Sequence, residues 1–203
     1  IHFPATERAK EFLIRMGEEE DRIFLTGCPA MDLLRENDLK LPSNIFSTNS
    51  SVGSVLDPKK EYIICLQHPV TTEYLNVEKQ IEETLNAIKK ITKIKPIQFV
   101  FLWPNIDAGS DEISKKVRQF RELENFPNIQ FFKNFSPLDY AALLNNCSCI
   151  MGNSSSGIRE ASFLGVPCVN IGNRQVGRER GNNVLDVPHE SGAITNAVLK
   201  QVN

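Results

Sequence analysis

Between residues 61 and 172 this chain has five short runs built almost wholly of apolar residues: EYIICLQ (61–67), IQFVFLWP (97–104), IQFFK (129–133), SCIMG (148–152) and PCVNIG (167–172). A strand with one wet face alternates polar and apolar side chains, whereas a strand that is apolar throughout must be covered on both faces. The segments between these runs carry the helical period. NVEKQIEETLNAIKKI (76–91) places Val77, Ile81, Leu85 and Ile88 on one face and offers Asn76 as its N-cap. SDEISKKVRQFREL (110–123) opens on Asp111 and Glu112, where the helix dipole favours acids. Helices are also expected over 137–146 and 157–165 and from about Gly192, with a further strand over 183–187. Apolar strands alternating with amphipathic helices predict a doubly wound α/β domain with a parallel sheet.

The first sixty residues are less regular. A helix is expected over about Ala5 to Met16, with Thr6 near its start, Gly17 as its stop and Ala9, Leu13 and Ile14 on a buried face. A short strand (22–27), a short helix (30–37) and a Ser- and Asn-rich loop able to carry a helical turn (42–58) follow. The opening IHFPATERAKEF starts on a strand end and runs into a helix, so the chain reads as the C-terminal part of a longer enzyme. At 203 residues it has the size of one ordinary domain. The net charge of −2 gives no electrostatic reason to expect nucleic acid or an anionic membrane as partner. No apolar run approaches the roughly 18 residues of a membrane helix. Cys28, Cys65, Cys147, Cys149 and Cys168 form no zinc-like pattern, and Cys65, Cys149 and Cys168 sit within apolar strands. Their odd number and setting point to reduced thiols and a cytoplasmic protein.

In doubly wound sheets, ligands bind outside the carboxyl ends of the strands, where strand order reverses. Each polar cluster of note falls just after a predicted strand. Gly152-Asn153-Ser154-Ser155-Ser156-Gly157 leaves a strand and opens a helix, whose first amides and small side chains suit a phosphate; Glu160, one turn on, can accept from ribose hydroxyls. The same residues also read as an ordinary N-cap followed by an Arg159 ion pair. His68 ends a buried strand before Pro69, placed either to exchange protons near neutral pH or simply to lie in a surface loop. WPNIDAGSD (103–111) presents Asn105 and Asp107 as ligand contacts or turn residues, and KNFSPLDY (133–140) presents Phe135 at the crevice rim beside a Ser136-Pro137 helix start. GNRQVGRERGNNV (172–184) carries Arg174 and two further arginines, as a phosphate clamp or as solvated charges on a mobile loop.

The segments HFPATERAKEFLIRMGEEEDRIFLTGCPAMD, LQHPVTTE, WPNIDAGSDE and MGNSSSGIREASFLGVPCVNIGNRQVGRERGNNV together resemble the hydrolysing UDP-N-acetylglucosamine 2-epimerases of sialic-acid and related nonulosonic-acid biosynthesis. The likeness runs almost end to end, skipping mainly residues 37–60. It implies a Rossmann-like domain, one half of a GT-B-type two-domain architecture. Residues 1–203 are then a single C-terminal UDP-binding domain, without the N-terminal domain that holds most of the proton-transferring acids. It implies that Ser154 and Ser155 meet the diphosphate, Glu160 the ribose and Phe135 the uracil. Further UDP contacts come from Asn105 and Arg174, and His68 is the catalytic or leaving-group-stabilising residue. No metal or cofactor is implied.

The chemistry implied is elimination of UDP followed by hydration with inversion at C2, from UDP-GlcNAc or a 4-acetamido-6-deoxy analogue, in a homo-oligomer. Non-hydrolysing relatives carry Arg-Arg-Glu-Asn after the equivalent histidine, and here Pro69-Val70-Thr71 follows. Asp111 stands where the animal members' effector site has a lysine, and Asn134 where a histidine is expected, so feedback control of that kind is not implied. A GT-B glycosyltransferase and a non-catalytic nucleotide-sugar sensor would share the same UDP site.

Overall fold

The computed structural model describes residues 1–48, 50–123 and 126–203. Its contacts divide the chain into two compact units, Ile1–Asn37 and Asp38–Asn203.

In the first unit, α1 (Glu7–Arg15) starts on Thr6, whose Oγ1 accepts from the Ala9 amide at 3.2 Å. Helix α2 (Pro29–Glu36) has Pro29 in its first turn. The strand expected over 22–27 is reduced to a single parallel bridge between His2 and Ile23, with the rings of Phe3 and Phe24 5.9 Å apart beside it. The expected buried face of α1 is absent: no residue of the helix is buried, and Ile14 is 40% exposed. A unit as short as Ile1–Asn37 is too small to bury such a stripe within itself.

The second unit is built on a seven-stranded sheet. Its strands are β1 (Ser51–Gly53), β2 (Tyr62–Leu66), β3 (Gln98–Leu102), β4 (Ile129–Phe132), β5 (Cys149–Gly152), β6 (Cys168–Ile171) and β7 (Val184–Val187). The order is β1-β4-β3-β2-β5-β6-β7, and every pairing is parallel except that of β1 with β4. From β2 the chain therefore winds outward through β3 and β4, then returns to place β5 on the other side of β2. That reversal between β2 and β5 opens the crevice in which such folds hold ligands.

Both faces of the sheet are covered, as the apolar runs require. On one face Ile63, Cys65, Phe99, Phe101 and Met151 pack under α4 (Val77–Ile94), α5 (Ser110–Leu123) and α9 (Ser191–Gln201). On the other, Tyr62, Ile64, Val100 and Phe132 meet α3 (Ile45–Thr48), α6 (Pro137–Asn146) and α8 (Glu160–Leu164). Consecutive residues of each strand thus serve opposite cores. No helix among the described residues is long and apolar enough to cross a membrane.

Three local expectations are revised. The 42–58 loop, in which residue 49 lies outside the described residues, carries α3 and also β1, which the sequence does not announce. Buried Gln130 of β4 holds this edge: its Nε2 donates to the Phe46 carbonyl (2.9 Å) and to Ser51 Oγ (2.8 Å), and its Oε1 accepts from the Leu56 amide (3.0 Å). Asn76 makes no side-chain cap, because a 3-10 turn over Thr71–Asn76 runs straight into α4 and the chain is already helical there. The helix expected over 157–165 is two short ones, α7 (Ser155–Ile158) and α8, broken at Arg159.

Candidate functional site

Strands β2 and β5 end side by side, with Leu66 in register with Gly152. The next residue on one strand is Asn153, which is fully buried and clamps the other strand's exit. Its Oδ1 accepts the His68 amide at 2.7 Å, and its Nδ2 donates to the His68 carbonyl at 2.8 Å. Its own carbonyl accepts from Arg174 Nη1 (3.2 Å) and from Gln175 Nε2 (2.7 Å) in the loop after β6. One asparagine thereby fixes both His68 and Arg174 relative to the sheet. The sequence places Asn153 in the serine-rich run but gives no sign of this clamp, because its partners lie 85 and about 20 positions away.

His68 is 5% exposed. Its Nδ1 accepts the Asn105 amide, contributed by the loop after β3, at 3.1 Å. An imidazole nitrogen that accepts carries no proton, so the neutral ring keeps its hydrogen on Nε2. Burial, aided by the Arg174 charge and opposed by Asp107, pushes the imidazole down to about 4. Against the expectation of a proton exchanger near neutral pH, burial keeps the ring uncharged there, with its hydrogen on Nε2.

The serine-rich run is equally constrained. Ser154 caps α7, its Oγ accepting from the Ser156 amide (3.3 Å) and from Ser156 Oγ (3.1 Å). Tyr140 of α6, which the sequence does not single out, sits with its hydroxyl 2.7 Å from Ser156 Oγ. Because α7 is a single turn, the donors on offer here are hydroxyls and the first amides rather than a long helix dipole. Glu160 opens α8, and its Oε2 is buried with no hydrogen-bond partner among the described residues. An unanswered acceptor of that kind is costly unless a donor arrives.

A cavity of about 300 Å³ unites most of these groups: His68, Asn105, Phe135, Ser154, Ser155 and Arg174 line it, together with Tyr140 and Trp103. Glu160 and Asp107 do not line it. Phe135 packs on Phe132, with ring centroids 4.7 Å apart, which fixes the ring at the cavity wall. A second cavity of about 490 Å³ lies next to the first, with Arg174 in both walls and Pro69, Val70, Thr71, Asp107 and Asn173 around it.

The loop after β6 is tied at several points. Arg180 pairs with Asp186 at 2.6 Å and donates to the Gln175 carbonyl at 2.8 Å, while Asn170 also holds Asp186 at 2.6 Å. Arg174 is therefore delivered to the crevice by a braced loop.

Fold and cleft together define the class: a Rossmann-like α/β domain of the GT-B kind, with its ligand crevice at the β2–β5 reversal. The chain belongs to the UDP-N-acetylglucosamine 2-epimerase family, whose model matches residues 1–203. It is 32% identical over 202 residues to the UDP-N,N'-diacetylbacillosamine 2-epimerase (hydrolyzing) of Legionella pneumophila, covering 100% of this chain and 50% of that protein. It is 35% identical over 199 residues to the polysialic acid biosynthesis protein P7 of Escherichia coli, covering 98% of this chain and 48% of the relative. The chain thus spans about half the length of the curated relatives it matches. The Methanocaldococcus jannaschii UDP-GlcNAc 2-epimerase, solved in complex with UDP-GlcNAc and UDP, shares the fold with a TM-score of 0.71 at 21% identity, covering 99% of this chain and 54% of that one.

Proposed function

We propose that this chain is the nucleotide-binding half of a hydrolysing UDP-sugar 2-epimerase. The observation that carries the reading is the convergence, at one sheet reversal, of a buried neutral imidazole, a braced guanidinium and a hydroxyl-lined cradle. Ser154, Ser155 and Arg174 receive the diphosphate, Asn105 and Phe135 contact the nucleotide, and Glu160 accepts from the ribose hydroxyls. His68 gives a hydrogen bond from its Nε2–H to the departing phosphate oxygen.

In the first step the C1–O bond breaks as a base removes the proton from C2, which gives a glycal and UDP. Water then adds its oxygen to C1, and a proton returns to C2 from the opposite face, releasing a free ManNAc-type sugar. Neutral His68 stabilises charge on the leaving group without moving a proton of its own. The acids and bases that serve C2 belong to the other half of the protein, so the isolated chain is inactive. Support for the hydrolysing branch comes from Pro69, Val70 and Thr71, which present no guanidinium to the second cavity. The sugar is UDP-GlcNAc or a 4-acetamido-6-deoxy analogue, and the enzyme works as a cytoplasmic homo-oligomer.

Full-length protein incubated with each UDP-sugar and no acceptor should release UDP and the free 2-epimer in equal amounts, as followed by NMR. Accumulation of a UDP-linked epimer would overturn the hydrolysing assignment, and the absence of turnover without an acceptor would favour a transferase. Glu160→Gln should weaken UDP binding about tenfold through loss of a ribose hydrogen bond in a buried place. Affinity for inorganic pyrophosphate should stay the same, and an equal loss for both ligands would remove the ribose assignment.

A further inference from the structure

We infer that Tyr140 is a positioning residue that commits the Ser154 hydroxyl to donate into the cradle, so that the site selects a phosphate oxygen. The inference rests on the nucleotide reading above and adds a residue and a direction to it. Tyr140 lies in the first turns of α6, whose start is fixed twice over: Pro137 occupies the first helical position, and Ser136 Oγ accepts the Asp139 amide at 3.1 Å. The Tyr140 amide bonds the Ser136 carbonyl at 2.9 Å, and the ring packs against the core that contains Phe132 and Leu143. The phenol is therefore aimed from a rigid support at the β5–α7 loop.

The direction of the hydroxyl chain follows from counting hydrogens. A serine hydroxyl has one hydrogen to give and two lone pairs with which to accept. Ser156 gives its hydrogen to Ser154 Oγ at 3.1 Å. The 2.7 Å contact between Tyr140 and Ser156 must then be a donation from the phenol. Ser154 Oγ also accepts the Ser156 amide at 3.3 Å, so both of its lone pairs are engaged. Its one remaining capacity is its own hydrogen, and Ser154 lines the cavity. The order Tyr140, Ser156, Ser154, cavity is a chain in which each donation strengthens the next. Burial holds the phenol above its usual range, so the chain keeps its first proton at every working pH. Such a terminus favours an acceptor-only group such as a diphosphate oxygen and disfavours a group that must donate.

The test uses full-length protein, with UDP binding read by calorimetry and uridine binding by ligand-detected NMR. Tyr140→Phe keeps the ring and removes one donor, and should weaken UDP binding by about 3- to 10-fold while leaving uridine within about twofold. Ser156→Ala breaks the chain at its middle, so in that background Tyr140→Phe should cost nothing further. Equal losses for UDP and uridine, an unchanged UDP affinity, or a Tyr140→Phe loss undiminished in Ser156→Ala would overturn the inference. Wild-type protein that binds no UDP would overturn the nucleotide reading and this inference with it. Wild-type binding with an indifferent Tyr140→Phe would remove the role of Tyr140 alone.

Discussion

His68→Ala in the full-length protein should lower kcat by about 100- to 1,000-fold, the usual cost of removing one preorganised donor from a developing oxyanion. UDP affinity should stay within a few fold, because Ser154, Ser155 and Arg174 keep their places. Arg174 is braced through Asn153, which clamps the backbone of residue 68 and not its ring. The pH behaviour separates this role from acid–base catalysis. A general acid of ordinary histidine character would lose activity as the pH rises above about 6.5. A neutral donor held at about 4 by burial should leave kcat/KM free of any His68 titration from neutral pH down to about 5.

The same shift makes a stability prediction whose sign is fixed. Below pH 6.5 the unfolded chain protonates this histidine while the folded one does not until about pH 4, so the unfolded state binds more protons in that window. Stability contributed by neutral His68 is therefore complete above 6.5 and is lost as the pH falls towards 4, by up to ~3 kcal/mol. Urea midpoints at pH 7 and pH 4.5 should fall further apart in wild type than in His68→Asn. Equal slopes in the two proteins would mean that the ring titrates normally.

How far the sequence reveals this molecule depends on the range of the forces involved. Strands β2, β3, β4, β5 and β6 are legible because each is covered on both faces, which leaves an uninterrupted apolar run, and α4 and α5 because one face of each is buried. The location of the cavity is legible for the same reason, since His68, Asn105, Ser154 and Arg174, which line it, follow strand ends. What stays hidden depends on distant partners. Strand β1 has three residues and is held by Gln130, about 80 positions along the chain. The Tyr140–Ser156 contact joins two elements that only the folded sheet brings together. The charge state of His68 follows from burial and from Arg174, neither of which a local pattern encodes.

Gly152→Ala should be the most damaging single methyl in the site. Gly152 ends β5 with φ +129°, a backbone conformation that L side chains rarely adopt. A Cβ there would lie 2.0 Å from the Leu66 carbonyl oxygen and 2.6 Å from its carbon, both backbone atoms of the neighbouring strand. Relief requires β2 and β5 to separate at the crevice, where Asn153 has to reach both backbone groups of His68. Backbone strain of ~1–3 kcal/mol and overpacking of ~1–3 kcal/mol add to a loss of ~2–6 kcal/mol, a large part of the ~5–15 kcal/mol that holds a domain folded. Gly165→Ala is the matched control: its φ is +71°, but nothing lies within 4 Å of the added carbon, so only the conformational cost, ~1 kcal/mol, should appear. Urea midpoints of the two variants should therefore differ severalfold in their displacement from wild type. Equal displacements would show that the close approach of the strands contributes nothing. UDP binding should survive in Gly165→Ala and be lost in Gly152→Ala even where that variant remains folded, because Asn153, which holds Arg174, and the Ser154–Ser155 run follow Gly152 directly and would be displaced with it.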